Sequence, residues 1–138
     1  MRSLLVLASV AGFGACQANK ASDDSAVLDV RSAATDGGRW YVEYVPSPDP
    51  IPGNKEFSMD ISISEDGAPA SDTEIAVFAE MRSHGHGMNQ SPVLSGADGE
   101  FTATGMLFHM TGKWHIVIDV TDGTTTETAE FVTVCCES

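Results

Sequence analysis

Positive charge is what this chain has least of. Its 138 residues include 7 Lys+Arg against 20 Asp+Glu, for a net charge of −13. Phosphate backbones and anionic lipid surfaces repel such a chain, so neither nucleic acid nor an anionic membrane face is an expected partner. Cysteine is scarce as well: Cys16, Cys135 and Cys136 are all there is, and the immunoglobulin cysteine pair is absent. The single apolar run, residues 4–10, falls far below the ~20 residues that span a bilayer. No stretch repeats its apolar residues at helical spacing. There is no His-Glu-x-x-His sequence and no glycine-rich phosphate loop opening a helix. Ser83 stands beside a histidine but lacks a strand-turn-helix elbow. Catalysis is not expected.

The first residues read as an address. Arg2 precedes the short apolar run, and Phe13-Gly14-Ala15 places small residues before Cys16, the order of an export signal. It resembles a bacterial lipoprotein signal, which implies cleavage after residue 15 and lipid on Cys16. Gln17, rather than aspartate, follows that cysteine. By resemblance to lipoprotein sorting signals this favours the outer membrane of a two-membrane cell, with the domain facing the periplasm. The alternative is an ordinary signal peptide and a free Cys16. Residues 16–37 are small and polar and read as a flexible tether behind the anchor. Loss of residues 1–15 removes one basic residue, Arg2, and makes the remainder more acidic still.

From residue 38 the pattern changes to strands. Trp40, Val42 and Tyr44 alternate with Tyr41 and Glu43, before four prolines between Pro46 and Pro52 break the run. Phe57, Met59, Ile61 and Ile63 alternate with Ser58, Asp60, Ser62 and Ser64, the clearest half-buried strand in the chain. Ile75, Val77, Ala79 and Met81 alternate next, with Phe78 on the opposite face. Asp98-Gly99 turns into a strand over 101–108, Trp114, Ile116, Ile118 and Val120 form another, and 125–134 the last. Six or seven short strands separated by Gly, Pro and Asp turns predict an all-β fold, an immunoglobulin-like antiparallel β-sandwich spanning 38–138.

Chemistry concentrates between Met81 and Trp114. Three of the four histidines and four of the six methionines lie there. Imidazole and thioether together suit copper: thioethers favour Cu(I), while His84 and His86 permit Cu(II). Gly85 and Gly87 let His84, His86 and Met88 turn toward one point. The strands ending at Met81 and Met110 can finish at the same end of a sandwich, so their terminal residues can meet. In a regular strand His109 faces opposite to Met110, and one of the two belongs to the site. The competing reading is bland: a solvated loop, with Met110 filling the core as methionine readily does. His115 reads as a surface histidine. Cys135 and Cys136 leave several readings open, namely a strained vicinal disulfide, pairing between molecules, thiolates for a soft metal, or an untethered tail.

Met81-Arg-Ser-His84-Gly-His86-Gly, then Pro92, Asp98-Gly99-Glu-Phe101 and Phe108-His-Met110-Thr-Gly112-Lys-Trp114 together resemble the YtkA-like domain, a family related to the FixH-type proteins. The resemblance covers roughly 57–134 and implies an immunoglobulin-like sandwich. Carried over, the family's histidine falls on His86, its first methionine on Met81 and its later one on Met110. Gly112 and Trp114 match the structural part of the Phe-x-Met-x-Gly-x-Trp motif that Phe108 begins. Two positions depart from the pattern. Arg82 stands where the family often has proline, and His84 where a second methionine is common, a change that bears on affinity and preferred oxidation state. The resemblance links the chain to copper handling and respiratory oxidase assembly.

Two functions are therefore expected to compete. One is an envelope-anchored copper-binding or copper-delivery domain with His86, Met110 and Met81 as ligands, completed by His84 or Met88, and with Trp114 packed beneath or over them. An envelope metalloprotein or oxidase complex would be its partner. The other is a metal-free interaction sandwich whose acidic surface docks on a basic face, with Met110 and Trp114 simply core.

Overall fold

The computed structural model describes residues 29–136. The expected export signal, Cys16 as its expected site of lipid attachment, and the first part of the expected tether lie outside the described residues. Two antiparallel sheets face each other. In the first, β1 (Ser32–Ala34), β2 (Tyr41–Ser47), β3 (Glu56–Glu65), β8 (Glu100–Leu107) and β7 (Val93–Ala97) lie side by side, with the two-residue β4 (Ala68–Pro69) also against β3. In the second, the order is β10 (Thr126–Cys135), β9 (Gly112–Thr121), β5 (Glu74–Met81) and β6 (His86–Gly87). The all-β sandwich expected from the alternating pattern is the observed fold.

Period-two alternation decides which face of each strand is buried. Phe57, Met59, Ile61 and Ile63 of β3 point inward, against Val77, Ala79 and Met81 of β5 and Trp114, Ile116, Ile118 and Val120 of β9. Each of the larger side chains removes enough apolar surface from water to contribute roughly 1.5–3 kcal/mol. The two tryptophans close opposite ends. Trp40 sits beside the far end, where Tyr41 pairs with Ser64, while Trp114 lies near the end at which Phe57 pairs with Met106.

Three expectations need correction. The tether does not reach residue 37: β1 pairs with β2, Thr35 is buried, and the Asp29 amide donates to the Val132 carbonyl at 3.0 Å. Short polar residues hid this strand because its burial comes from the neighbouring β2 and β10 rather than from its own side chains. The prolines do not end β2 at Tyr44, since Pro46 continues the strand opposite Met59. Finally, the described residues form ten strands rather than six or seven. The additional ones are the short β1, β4 and β6, which carry too few residues to alternate, and β7, whose Ser-Gly-Ala stretch carries little apolar signal.

The Asp-Gly turns behave as their chemistry requires. Asp98 and Gly99 both adopt positive φ, 55° and 84°, joining β7 to β8 in the hairpin geometry that asks for two left-handed residues. Gly99 is also wedged: a Cβ there would lie 2.6 Å from the Ile63 carbonyl oxygen and 2.8 Å from the Ala70 nitrogen. Gly67, in the equivalent Asp-Gly turn between β3 and β4, has φ of 79° but open space around it. Gly67→Ala should therefore cost about 1 kcal/mol, for the backbone alone. Gly99→Ala should cost clearly more, about 2–3 kcal/mol, because the β3 backbone must also move. Urea unfolding of the two variants separates these, and equal midpoints would refute the wedging.

Candidate functional site

The β5–β6 hairpin sets the position of its histidines. At the end of β5 the Met81 carbonyl accepts from the amides of both His84 and Gly85, each at 3.0 Å, and Gly85 takes φ of 68° to turn the chain back. β6 then pairs with β5, placing His86 opposite Met81. Residues directly opposite in an antiparallel pair share a face. Met81 points into the core, so His86 points to the same side, at the rim of the sandwich. On the other flank of β5, Glu80 pairs with His115 of β9, and one further step brings Trp114 beside Met81. Trp114, Met81 and His86 therefore form a row across the inner face.

The connection from β8 to β9 supplies the rest. Phe108 and Trp114 are both fully buried and stack with ring centres 4.5 Å apart and planes 7° from parallel. Phe57, from the first sheet, meets Phe108 edge-on at 5.0 Å. The Trp114 indole N–H donates to the Met110 carbonyl at 2.9 Å. Stack and hydrogen bond together fix residues 108–110, and His109 is held over this aromatic floor. Its ring centre is 5.1 Å from that of His86 and 5.6 Å from Trp114. His86 is 6.3 Å from Trp114, and His84 lies 5.8 Å from His86.

Two ring nitrogens bear on the chemistry. His86 Nδ1 is 3.1 Å from the Gly87 carbonyl oxygen. A carbonyl only accepts, so this nitrogen is the donor, and in the neutral imidazole that leaves the Nε2 lone pair for a ligand. His109 Nδ1 is buried with no hydrogen-bond partner among the described residues. Imidazole nitrogens bind first-row ions at ~2.0 Å, which sets two rings on one ion roughly 5–6 Å apart, centre to centre. The separations of His86 from His109 and from His84 both fall in that range. Among the described residues, no group of three or more His, Cys, Asp or Glu side chains is arranged to hold a metal ion. A complete ligand set therefore needs a thioether or a shift of the exposed His84.

The methionines are not where the spacing suggested. Met81, expected as a ligand, is enclosed in the core at 1% exposure, its methyl occupying the space that a side chain at Gly112 would fill. Met88 is half-buried, and its sulfur accepts the Leu107 amide at 3.4 Å, pinning the chain after β6 to the first sheet. Of His109 and Met110, it is His109 that meets His86, while the Met110 side chain is 38% exposed. The reason is that β8 ends at Leu107, so strict alternation no longer governs the residues beyond it. Trp114 packs beneath the histidines. Cys135 and Cys136 are not a free tail: Cys135 ends β10 inside the core, and the two cysteine sulfurs are brought against each other.

Sequence reasoning missed the support on the outer face. Arg82 makes a bidentate contact with Glu130 at 2.7 and 2.8 Å and reaches Glu80 at 2.8 Å. Nδ1 of His115 stands 3.0 Å from the same Glu130 carboxylate. Arg82 is the first residue of the loop, so this network ties its root to β10. The signal was available: a chain this poor in cations places one of them between Met81 and His84.

No protein-family model matches the chain, and no curated protein matches it. Among solved structures, a DUF4426 family protein from Pseudomonas aeruginosa PAO1 is similar, with a TM-score of 0.55 and 12% sequence identity over 78% of this chain and 97% of that one. At that identity the likeness is one of fold: this chain is a β-sandwich domain like that protein.

The loop's anchor predicts a pH dependence. The Arg82 guanidinium, and after it His115, holds the Glu130 carboxyl below its ordinary value of 4.5. A lowered folded-state value means the stabilisation is complete above that ordinary value and is lost as pH falls through the lowered one. The wild type should exceed Glu130→Gln in thermal midpoint at pH 7, and the gap should close as the pH drops below about 4. A gap independent of pH would refute the anchoring role of this charge.

Proposed function

We propose that this chain is a copper-binding or copper-delivery domain of the cell envelope, a YtkA-like sandwich carried on lipid at Cys16. The observation that supports it best is the imidazole pair His86 and His109, side by side over Trp114, one hydrogen-bonded through Nδ1 to a carbonyl and the other with a buried nitrogen that has no partner among the described residues. His84 and the exposed Met110 thioether stand on the adjoining loops and complete a three- or four-coordinate set, with Cu(I) favoured by the sulfur and Cu(II) accommodated by the imidazoles. Met81 serves beneath as packing. The function is binding rather than catalysis, with a copper ion as cargo and an envelope metalloprotein or oxidase complex as the recipient.

The test is a competitive Cu(I) titration against a chromophoric chelator, with the cysteines changed to serine. Partners that merely orient metal ligands cost about 10–100-fold in affinity when removed, so the His86→Ala/His109→Ala variant should lose at least as much. Met110→Leu should weaken Cu(I) more than Cu(II). Unchanged Cu(I) affinity in the histidine double variant would refute the site.

A second reading draws on the net charge of −13. It is a metal-free sandwich that docks through its acidic surface on a basic partner. Recovery of one partner equally with and without chelator would favour it.

A further inference from the structure

A second set of soft ligands lies at the same end of the sandwich. Cys135 pairs directly with Gly112 across β10 and β9, so the two share the inner face. Gly112 has no side chain to fill its place there, and the Met81 methyl takes it: a Cβ on Gly112 would lie 2.6 Å from that carbon. Cys135 thus stands next to the residue against which the Met81 thioether packs. Cys136 follows at the end of the strand, and its sulfur is 3.4 Å from where a Cβ on Gly53 would be. Gly112 therefore leaves room for the Met81 methyl beside Cys135, and Gly53 leaves room for the Cys136 sulfur. Cys135 is buried at 2% exposure, whereas half-buried Cys136 lines an open cavity of about 500 Å³ with Ile51 and Arg31. The chain brings the two sulfurs together, one against the core and one facing a space that an ion can enter.

We propose that Cys135 and Cys136, once reduced, form a second soft-metal site, a dithiolate for Cu(I) or an ion of like softness, and that oxidation to the vicinal disulfide closes it. Reduction takes a dithiol reductant. Two thiol–disulfide exchanges pass two electrons and two protons to the Cys135–Cys136 bond, and the reductant leaves as its own disulfide. The Pro52 carbonyl oxygen, 3.9 Å from the Cys135 sulfur, then faces the new thiol. Binding of Cu(I) displaces both thiol protons, giving a two-coordinate anion in which each sulfur donates one pair. The ion is chosen by analogy with the proposed imidazole site, but the cysteine site uses none of its ligands.

Three sequences of the full chain, all carrying Cys16→Ser, separate the two sites by Cu(I) stoichiometry against a chromophoric chelator: the parent, His86→Ala/His109→Ala, and that variant with Cys136→Ser. In the His86→Ala/His109→Ala background the dithiol-reduced protein should still bind one Cu(I). The same protein left oxidised should bind none. Addition of Cys136→Ser, at the half-buried position least disruptive to the core, should abolish the remaining ion. An organic trivalent arsenical, which clamps two neighbouring thiols, should protect the reduced chain from a thiol-alkylating reagent without touching the histidines. The proposal is overturned if the reduced histidine variant binds no Cu(I), or if the residual ion survives Cys136→Ser or oxidation. Failure of the imidazole site reads differently: the parent chain, fully oxidised, would then bind no copper while the reduced chain still did.

Discussion

Trp114 holds this end of the molecule together. Its ring stacks on Phe108, which leads out of the first sheet, and its N–H holds the Met110 carbonyl, while its own strand belongs to the second sheet. Aromatic pairs of this kind contribute ~0.5–1.5 kcal/mol beyond the area they bury. The geometric effect matters more than the energy here. With the indole in place, the β8–β9 connection has one path, and His109 has one place to stand. Met81 and His86 lie beside Trp114 in the same cross-strand row, so the hairpin and the connection are referenced to one ring.

Much of the architecture could be read from alternation, and the exceptions share a cause. β3, β5 and β9 are long enough for period two to show, and each buries the face that the pattern named. β1, β4 and β6 have three residues or fewer, and strands that short are specified by what they pair with rather than by their own composition. The same limit applies at the site. That the two His/Met clusters would share one end followed from strand direction, and it holds for His86 and His109. Which side chain of each cluster faces the other depends on where β8 ends and on the gap at Gly112, and neither is a property of local spacing. Nor could spacing place Cys135, 23 residues beyond Gly112 in sequence yet its partner across the sheet.

Scarce cations are used as fixings. Arg31 binds Asp49, Arg39 reaches both Glu65 and Asp122 while lying over the Trp40 ring, and Arg82 joins Glu80 to Glu130. Exposed pairs of this kind contribute only ~0–1 kcal/mol each, so their value lies in register and loop position. The Asp122 carboxyl is held well below the carboxylate range, first by the Thr125 amide and then by Arg39. That combination closes the last hairpin at the end opposite the histidines. The remaining acidic excess gives the surface a field that gathers cations of any kind and repels polyanions.

His86 and His109 belong to different layers, since one sits on a hairpin of the second sheet and the other on the chain leaving the first. Anything gripped between them is a clasp across the sandwich. The work of prising the layers apart would then include the work of releasing the ligand, at RT ln(1 + [L]/Kd), or ~2.7 kcal/mol at a hundredfold excess over Kd. Occupancy would register in the melting of the whole domain, and a recipient that takes the ligand would leave behind a looser fold.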